Sequence, residues 1–186
     1  NFFTDVTEVV KFINAIVNGF SCKRFAADCA EKILNCTDSE EITLLDGDKT
    51  ITKEDSSHAV FGYTTHIYDG NFYTGFQSWR QAEEFKTYCF DDLKELPVGL
   101  SEKVCKVLNM DSFILTSGHE RVWNFISDYL GVLYFAGVEM SAETKFFITK
   151  KLQEAGKTVI AYGDGMNDYY MLKHCLLYTS DAADDR

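Results

Sequence analysis

Asp46 and Asp48 stand one residue apart at the end of the apolar pair Leu44-Leu45, with Lys49 and Thr50 behind them. A short apolar run ending in acids reads as a buried strand delivering carboxylates to its C-terminal edge, where open α/β sheets keep their sites. Alternation along the strand end puts both aspartates on one side. Carboxylates held that close need a cation, or one of them takes up a proton. The pattern Asp-x-Asp-x-Thr is common by itself, since acidic turns follow many strands. Its company in the chain gives it meaning. Phe113-Ile114-Leu115-Thr116-Ser117-Gly118 is a second apolar run, ending in hydroxyls and a glycine. Lys145 lies in a helical pattern, and Thr158-Val159-Ile160-Ala161-Tyr162 runs into Gly163-Asp164-Gly165-Met166-Asn167-Asp168.

Each group has an elementary chemistry. Asp164 and Asp168 flank a glycine-bearing turn and, with Asp46, offer hard oxygen ligands suited to Mg²⁺. A helix N-terminus after Gly118 is a natural anion site. Ser117 is the hydroxyl best placed to serve it, with Thr116 as the alternative. Lys145 either neutralises charge in the site or is a solvated helix lysine, as Lys150 and Lys151 are read to be.

An acid pair, a hydroxyl, a lysine and a second acid pair, in that order and mostly at strand ends, resemble the haloacid dehalogenase superfamily of phosphoryl-transfer enzymes. The likeness is to its phosphoserine-phosphatase-like branch and covers roughly residues 41–174. The resemblance implies that Asp46 is a nucleophile forming an aspartyl-phosphate. It implies that Asp48 protonates the leaving oxygen and later deprotonates the attacking water. Ser117 and the backbone at Gly118 would hold phosphate oxygens, and Lys145 would neutralise the nucleophile. Mg²⁺ would be held by the side chains of Asp46 and Asp164 and the backbone carbonyl of Asp48, with Asp168 acting through water or Lys145. The ion-pumping relatives carry threonine where this chain has Asp48, so the resemblance implies a phosphomonoester hydrolase of small phosphorylated metabolites. A phosphotransferase and a non-catalytic regulatory domain are the alternatives. Two positions depart from the branch: Asp55 stands where it has a cap-entrance glutamate, and Phe146 where a glycine usually follows the lysine. Arg80 could meet a substrate carboxylate or serve the surface.

The elements that must position these groups follow from periodicity. Strands over Leu44–Leu45, 113–116, 132–135 and 159–161 alternate with helices, predicting a parallel, Rossmann-like α/β sheet. The helix after Ser117 is expected to bury Val122, Phe125, Ile126, Tyr129 and Leu130. The next is expected to be capped by Ser141 and to bear Lys145, Ile148, Leu152 and Ala155. Residues 1–40 read as a helical segment in which Val6, Val9, Val10, Ile13, Val17 and Phe20 form one apolar stripe. It either covers the sheet or ends a preceding domain. Residues 41–52 and 110–174 make the core, and residues 53–109 an inserted, mostly helical cap. In that cap, Ser78 and Gln81 fit a capping box opening a helix through Ala82, Phe85, Cys89, Leu93 and Leu96, and Ser101 starts another.

At 186 residues and 46% hydrophobic, the chain can bury one good core and a small module. Its net charge of −11 argues against nucleic acid as a partner. No apolar run approaches a membrane span, and a cytoplasmic location with no membrane partner is expected. Cys22, Cys29, Cys36, Cys89 and Cys105 form no C-x-x-C pair, which suits a reducing compartment. The first three share a helix face as small core residues. Residues 175–186 back-translate, one codon choice per residue, into the end of a common transposase-based sequencing adapter. They are therefore expected to pack no core and to leave the sheet without a strand after the fourth, with the chain truncated at both ends.

Overall fold

The computed structural model describes residues 6–62, 75–88, 91–137 and 139–175, and the backbone of 177–179. Five strands form one sheet: β1 (Glu41–Asp46), β2 (Ser112–Thr116), β3 (Leu133–Ala136), β4 (Thr158–Tyr162) and β5 (Leu177–Thr179). All pairings are parallel, in the order β3-β2-β1-β4-β5. The central strand is β1, buried from Ile42 through Asp46, as a strand covered on both faces must be. Its register sets Asp46 beside Leu115 and Leu45 beside Tyr162, so the three central strands end level. The chain moves from β1 to β2 on one side and returns to β4 on the other. That reversal opens a crevice at the carboxyl ends of β1, β2 and β4.

Alternation along each strand sorts the core into two layers. Leu44, Phe113, Leu115, Val159 and Ala161 face α2 (Cys22–Cys36) and α7 (Ala142–Glu154). Leu45 and Ile114 face α6 (Glu120–Leu130), which inserts Val122, Trp123 and Ile126, all with no exposed surface. Helix α7 starts where Ser141 caps it by accepting the Thr144 N–H at 3.2 Å. This helix buries Lys145 beside Ile148 and Leu152, while Ala155 beyond its end is exposed. On α6 the inward set is rotated from expectation: Trp123 is buried and Tyr129 is 64% exposed. The large indole claims the site-facing position and turns Tyr129 outward.

Helix α1 (Val6–Val17) forms where periodicity put it but is rotated, so that within it only Val9 of the expected stripe is half-buried. Val6, Val10, Ile13 and Val17 are exposed, and no residue of α1 is fully buried. Phe12 decides the orientation, packing against Phe20, Phe76 and Trp79 at centroid distances of 5.2–5.7 Å. One aromatic side chain with edge-to-face partners outweighs several valines. Among the first three cysteines, Cys22 and Cys29 are core residues on α2, and Cys36 is exposed. Burial raises the Cys29 thiol to about 12, so it behaves as a small apolar group.

The inserted segment leaves at Thr52 and returns at Leu100, where the two chains form an antiparallel bridge. The Lys53 N–H donates to the Gly99 carbonyl and the Ser101 N–H to the Ile51 carbonyl, each at 2.8 Å. Within it lie α3 (Ser56–Phe61) and α4 (Gly75–Phe85), and α5 (Glu102–Cys105) follows its return. Helix α4 begins before Ser78 and ends at Phe85, so Ser78 and Gln81 are buried interior residues and not a capping box. Leu93 and Leu96 lie beyond it and pack against the α6 layer. Cys89, His66 and the aromatic residues Tyr63, Tyr68, Phe72 and Tyr73 lie outside the described residues. Ser101 precedes α5 without a side-chain cap bond, and Val107 is exposed.

The chain end corrects a further expectation. After α8 (Tyr169–Lys173), the backbone of β5 pairs with Ile160, Ala161 and Tyr162 of β4. Cys175 packs against the α2–α7 layer, with its thiol donating to the Met171 carbonyl at 3.0 Å. The sheet therefore has a strand after the fourth, against the expectation of none. An open β4 edge offers unpaired backbone groups that a short β-compatible segment satisfies. Among the described residues no helix is long and apolar enough to cross a membrane.

Candidate functional site

The crevice gathers residues from four parts of the chain. Asp46 ends β1 and is 8% exposed. The turn that follows is closed by the Thr52 N–H on the Gly47 carbonyl at 3.3 Å. Within it Lys49 has φ 61°, the one positive φ of a non-glycine residue among those described. That strained step is held by the Lys49 N–H donating to Thr52 Oγ1 at 3.2 Å. Asp48 is thereby turned toward α3, and its Oδ1 accepts the Ser56 N–H at 2.7 Å.

Lys145 reaches the same point from α7. Its ammonium donates to Asp46 Oδ1 at 2.5 Å and to Asp168 Oδ1 at 2.8 Å. Lys145 and Asp168 are 2% and 1% exposed, so this is a buried triad. Burial alone would lower the lysine, but Asp168 and Asp46 outweigh it and hold the ammonium above its ordinary value. Asp168 is oriented further by the Gly165 N–H at 3.3 Å. The sequence left two readings for Lys145, and burial excludes the solvated one.

One lysine does not balance the acids. Ligand oxygens of Asp46, Asp164 and Asp168 lie within 4.8 Å of one another. Burial, then the charge of Asp168, raises the Asp46 carboxyl well above the usual range. Asp164 keeps one flank in solvent, yet the protein around its carboxyl and the neighbouring Asp168 raise it as well, against Lys145 and Lys49. Burial and the charge of Asp55 bring Asp48 up to about 6, against the pull of Ser56 and Lys145. Hard oxygen donors that repel each other at this spacing suit a divalent cation such as Mg²⁺.

On the β2 side, Thr116 is buried and its Oγ1 accepts the Gly118 N–H at 3.0 Å. A Cβ on Gly47 would lie 2.7 Å from Thr116 Oγ1, so Thr116 is the hydroxyl beside the Asp46–Asp48 loop. With Gly118, Ser117 lines a cavity of about 250 Å³ whose other wall is the Gln81–Phe85 face of α4, and no acid of the cluster lines that cavity. Helix α6 does not start at Gly118: His119 is its N-cap, accepting the Arg121 N–H at 3.2 Å. The His119 ring also packs on Phe61 and Phe85 at 5.5 and 5.2 Å.

Asp55 and Arg80, the two expected substrate contacts, have other partners in the fold, and Asp55 stays close enough for its charge to raise Asp48. Asp55 caps α3, accepting from the Ser57 and His58 N–H groups at 3.0 and 3.1 Å. Arg80 points off the cavity face of α4 and pairs with Glu8 of α1 at 3.4 Å. Phe146 packs on Phe147, Tyr170 and His174, which ties α7 to α8. Three contributors escaped the sequence reading: Ser56, Lys49 and Trp123. Ser56 had a signal, as the first residue of a helix behind a capping aspartate. The positive φ of Lys49 has none.

No family model matches the chain, and no curated protein matches it significantly. The class defined by fold and site is thus an α/β protein with a parallel Rossmann-like sheet and a lysine-bridged acidic cluster at its topological switch point.

Proposed function

We propose that the protein is a Mg²⁺-dependent phosphomonoester hydrolase of the haloacid dehalogenase type, acting on a small phosphorylated metabolite in the cytoplasm. The observation that carries this reading is the buried contact of Lys145 with both Asp46 and Asp168, with Asp164 close enough to share a cation. It joins three of the sequence motifs in one place at the sheet edge.

In this reading an Asp46 oxygen attacks phosphorus in line, and the bond from phosphorus to the ester oxygen breaks. Asp48 gives its proton to the departing alkoxide. Water then attacks the aspartyl-phosphate, Asp48 takes the proton, and the bond to Asp46 breaks to release phosphate. Lys145 and the Thr116–Ser117 hydroxyls stabilise charge on the transferred group. Asp46, Asp164 and the Asp48 carbonyl would hold Mg²⁺, which would supply positive charge for the phosphoryl oxygens. Asp168 acts by holding Lys145. An Asp48 carboxyl at about 6 exchanges its proton near neutral pH, as both of its tasks require.

The test is phosphate release from a panel of small phosphomonoesters, with Mg²⁺ and with EDTA. Release that needs Mg²⁺ and Asp46 is expected. Absence of release from every ester, by a folded protein that still binds Mg²⁺, would contradict the reading. Transfer to added alcohols in place of water would make it a phosphotransferase.

A further inference from the structure

The outward face of α1 carries Val6, Val10, Ile13 and Val17, with Ile16 beside them, each between 49% and 78% exposed. Single exposed apolar residues are ordinary, but five on one helix face are not. The helix does not need them for its seat. Phe12 and Glu8 anchor its other side, on Phe20, Phe76, Trp79 and Arg80. Steps of four, three and four residues keep Val6, Val10, Ile13 and Val17 in one line, which is the seam spacing of paired helices. The spacing reads the same backwards. An antiparallel second copy therefore sets Val6 against the partner's Val17 and Val10 against the partner's Ile13, so every seam residue meets an apolar one. Thr7 and Asn14 border the seam on one side and Val9 and Ile16 on the other. No charge flanks it, although the chain as a whole carries −11 and repels its own copies elsewhere. A membrane suits the stripe poorly, because interfacial helices carry several basic residues and α1 has Lys11 alone. The five side chains leave roughly 500 Å² of surface, so a symmetric pair would cover about 1,000 Å², the lower limit of a specific interface.

We propose that α1 is the contact between two copies of the chain, packed antiparallel about a two-fold axis at the Val10–Ile13 step. The dimer is weak and reversible because its area is small, with a dissociation constant on the order of 10 µM. It needs no Mg²⁺ and does not depend on the phosphatase reading, since α1 holds none of the crevice residues.

Sedimentation of the full chain in EDTA, from about 1 µM to about 1 mM, tests it. The average mass should rise with concentration from one chain towards two. Val10→Glu and Ile13→Lys should each hold the protein at the mass of one chain. Both should keep the native far-ultraviolet spectrum, because both positions are exposed in the single chain. An equimolar mixture of the two variants should dimerise again, since antiparallel pairing sets the new carboxylate against the new ammonium. Should either variant fail to fold, Val17→Glu and Val6→Lys, the outer pair of the seam, replace them. A native chain of single mass at every concentration overturns the proposal. So does a dimer that survives each substitution, which places the contact elsewhere. A mixture that stays at single mass overturns the antiparallel pairing. Flotation of the native chain with phosphatidylcholine–phosphatidylserine vesicles would assign the stripe to a membrane and overturn it too.

Discussion

The Lys145 ammonium lies 2.5 Å from Asp46 Oδ1, although 99 positions separate them in the chain. The contact joins the central strand to α7 and places a fixed positive charge beside a buried acid of the crevice. Because Asp168 shares the same ammonium, the three side chains form one unit in which none can be removed neutrally.

Lys145→Met tests that unit. Removing the cation leaves Asp46 and Asp168 facing each other without compensation, a loss of about 3–5 kcal/mol when a buried pair is broken on one side. Urea unfolding in EDTA should show it. Added Mg²⁺ should recover part of the loss by supplying the missing charge, and the same loss with and without Mg²⁺ would argue against a cation site.

Mg²⁺ should stabilise the native protein by mass action, by about 2.7 kcal/mol at one hundred times its dissociation constant. Asp164→Ala removes a ligand without touching the Lys145 triad. Its stability in EDTA should therefore match or exceed that of the native chain, while the Mg²⁺-induced rise in Tm disappears. A full Mg²⁺ response in Asp164→Ala would place the ion elsewhere.

Asp48 supplies a pH dependence with a definite sign. Its carboxyl sits at about 6 in the fold against an ordinary 3.8. Below the ordinary value it is neutral in both states and contributes nothing. Above about 6 it is charged in both, and the fold disfavours that charge. Stability therefore falls as pH rises through this window. Asp48→Asn in EDTA should gain about 1–3 kcal/mol at pH 7.5, with most of the gain gone at pH 4.5. Urea midpoints at the two pH values measure it.

Asp55 and Arg80 should separate structure from catalysis. Asp55→Ala removes the cap of α3 and should cost about 1 kcal/mol. Arg80→Ala breaks an exposed pair with Glu8 and should cost less than about 1 kcal/mol. Neither should change KM selectively for amino-acid phosphates. A selective rise in either variant would bring that residue back to the substrate.

The parallel sheet and the crevice were legible because both are written in local pattern. Apolar runs such as Phe113–Leu115 end in polar residues, and the helix of Lys145 carries its own cap at Ser141. Those signals need no knowledge of the rest of the chain. The orientation of α1 was not legible, since it depends on Phe12 meeting Phe76 and Trp79, residues remote in sequence. Trp123 was missed for a related reason. Its place beneath Gly47 and Gly118 depends on how α6 rotates against β1 and β2. The β5 pairing escaped because the open edge of β4, and not a strong strand pattern, recruits Leu177–Thr179. The partners of Asp55 and Arg80, the first N–H groups of α3 and Glu8, depend on how the inserted segment packs, and the pairing with Glu8 carries no local signal.

The central claim, that Asp46 and Asp48 divide nucleophile and proton transfer between them, is tested most directly by acid-quenched labelling. Native protein and the Asp46→Asn and Asp48→Asn variants are mixed with a ³²P-labelled alkyl phosphomonoester and with labelled p-nitrophenyl phosphate, quenched, and counted. Asp46→Asn should retain no label. Asp48→Asn should lose roughly 10²–10⁴ in rate on the alkyl ester, less on the nitrophenyl ester, and accumulate protein-bound phosphate because the intermediate lacks its base. Label trapped on Asp46→Asn, or an Asp48→Asn variant as fast as the native protein on the alkyl ester, would contradict the account.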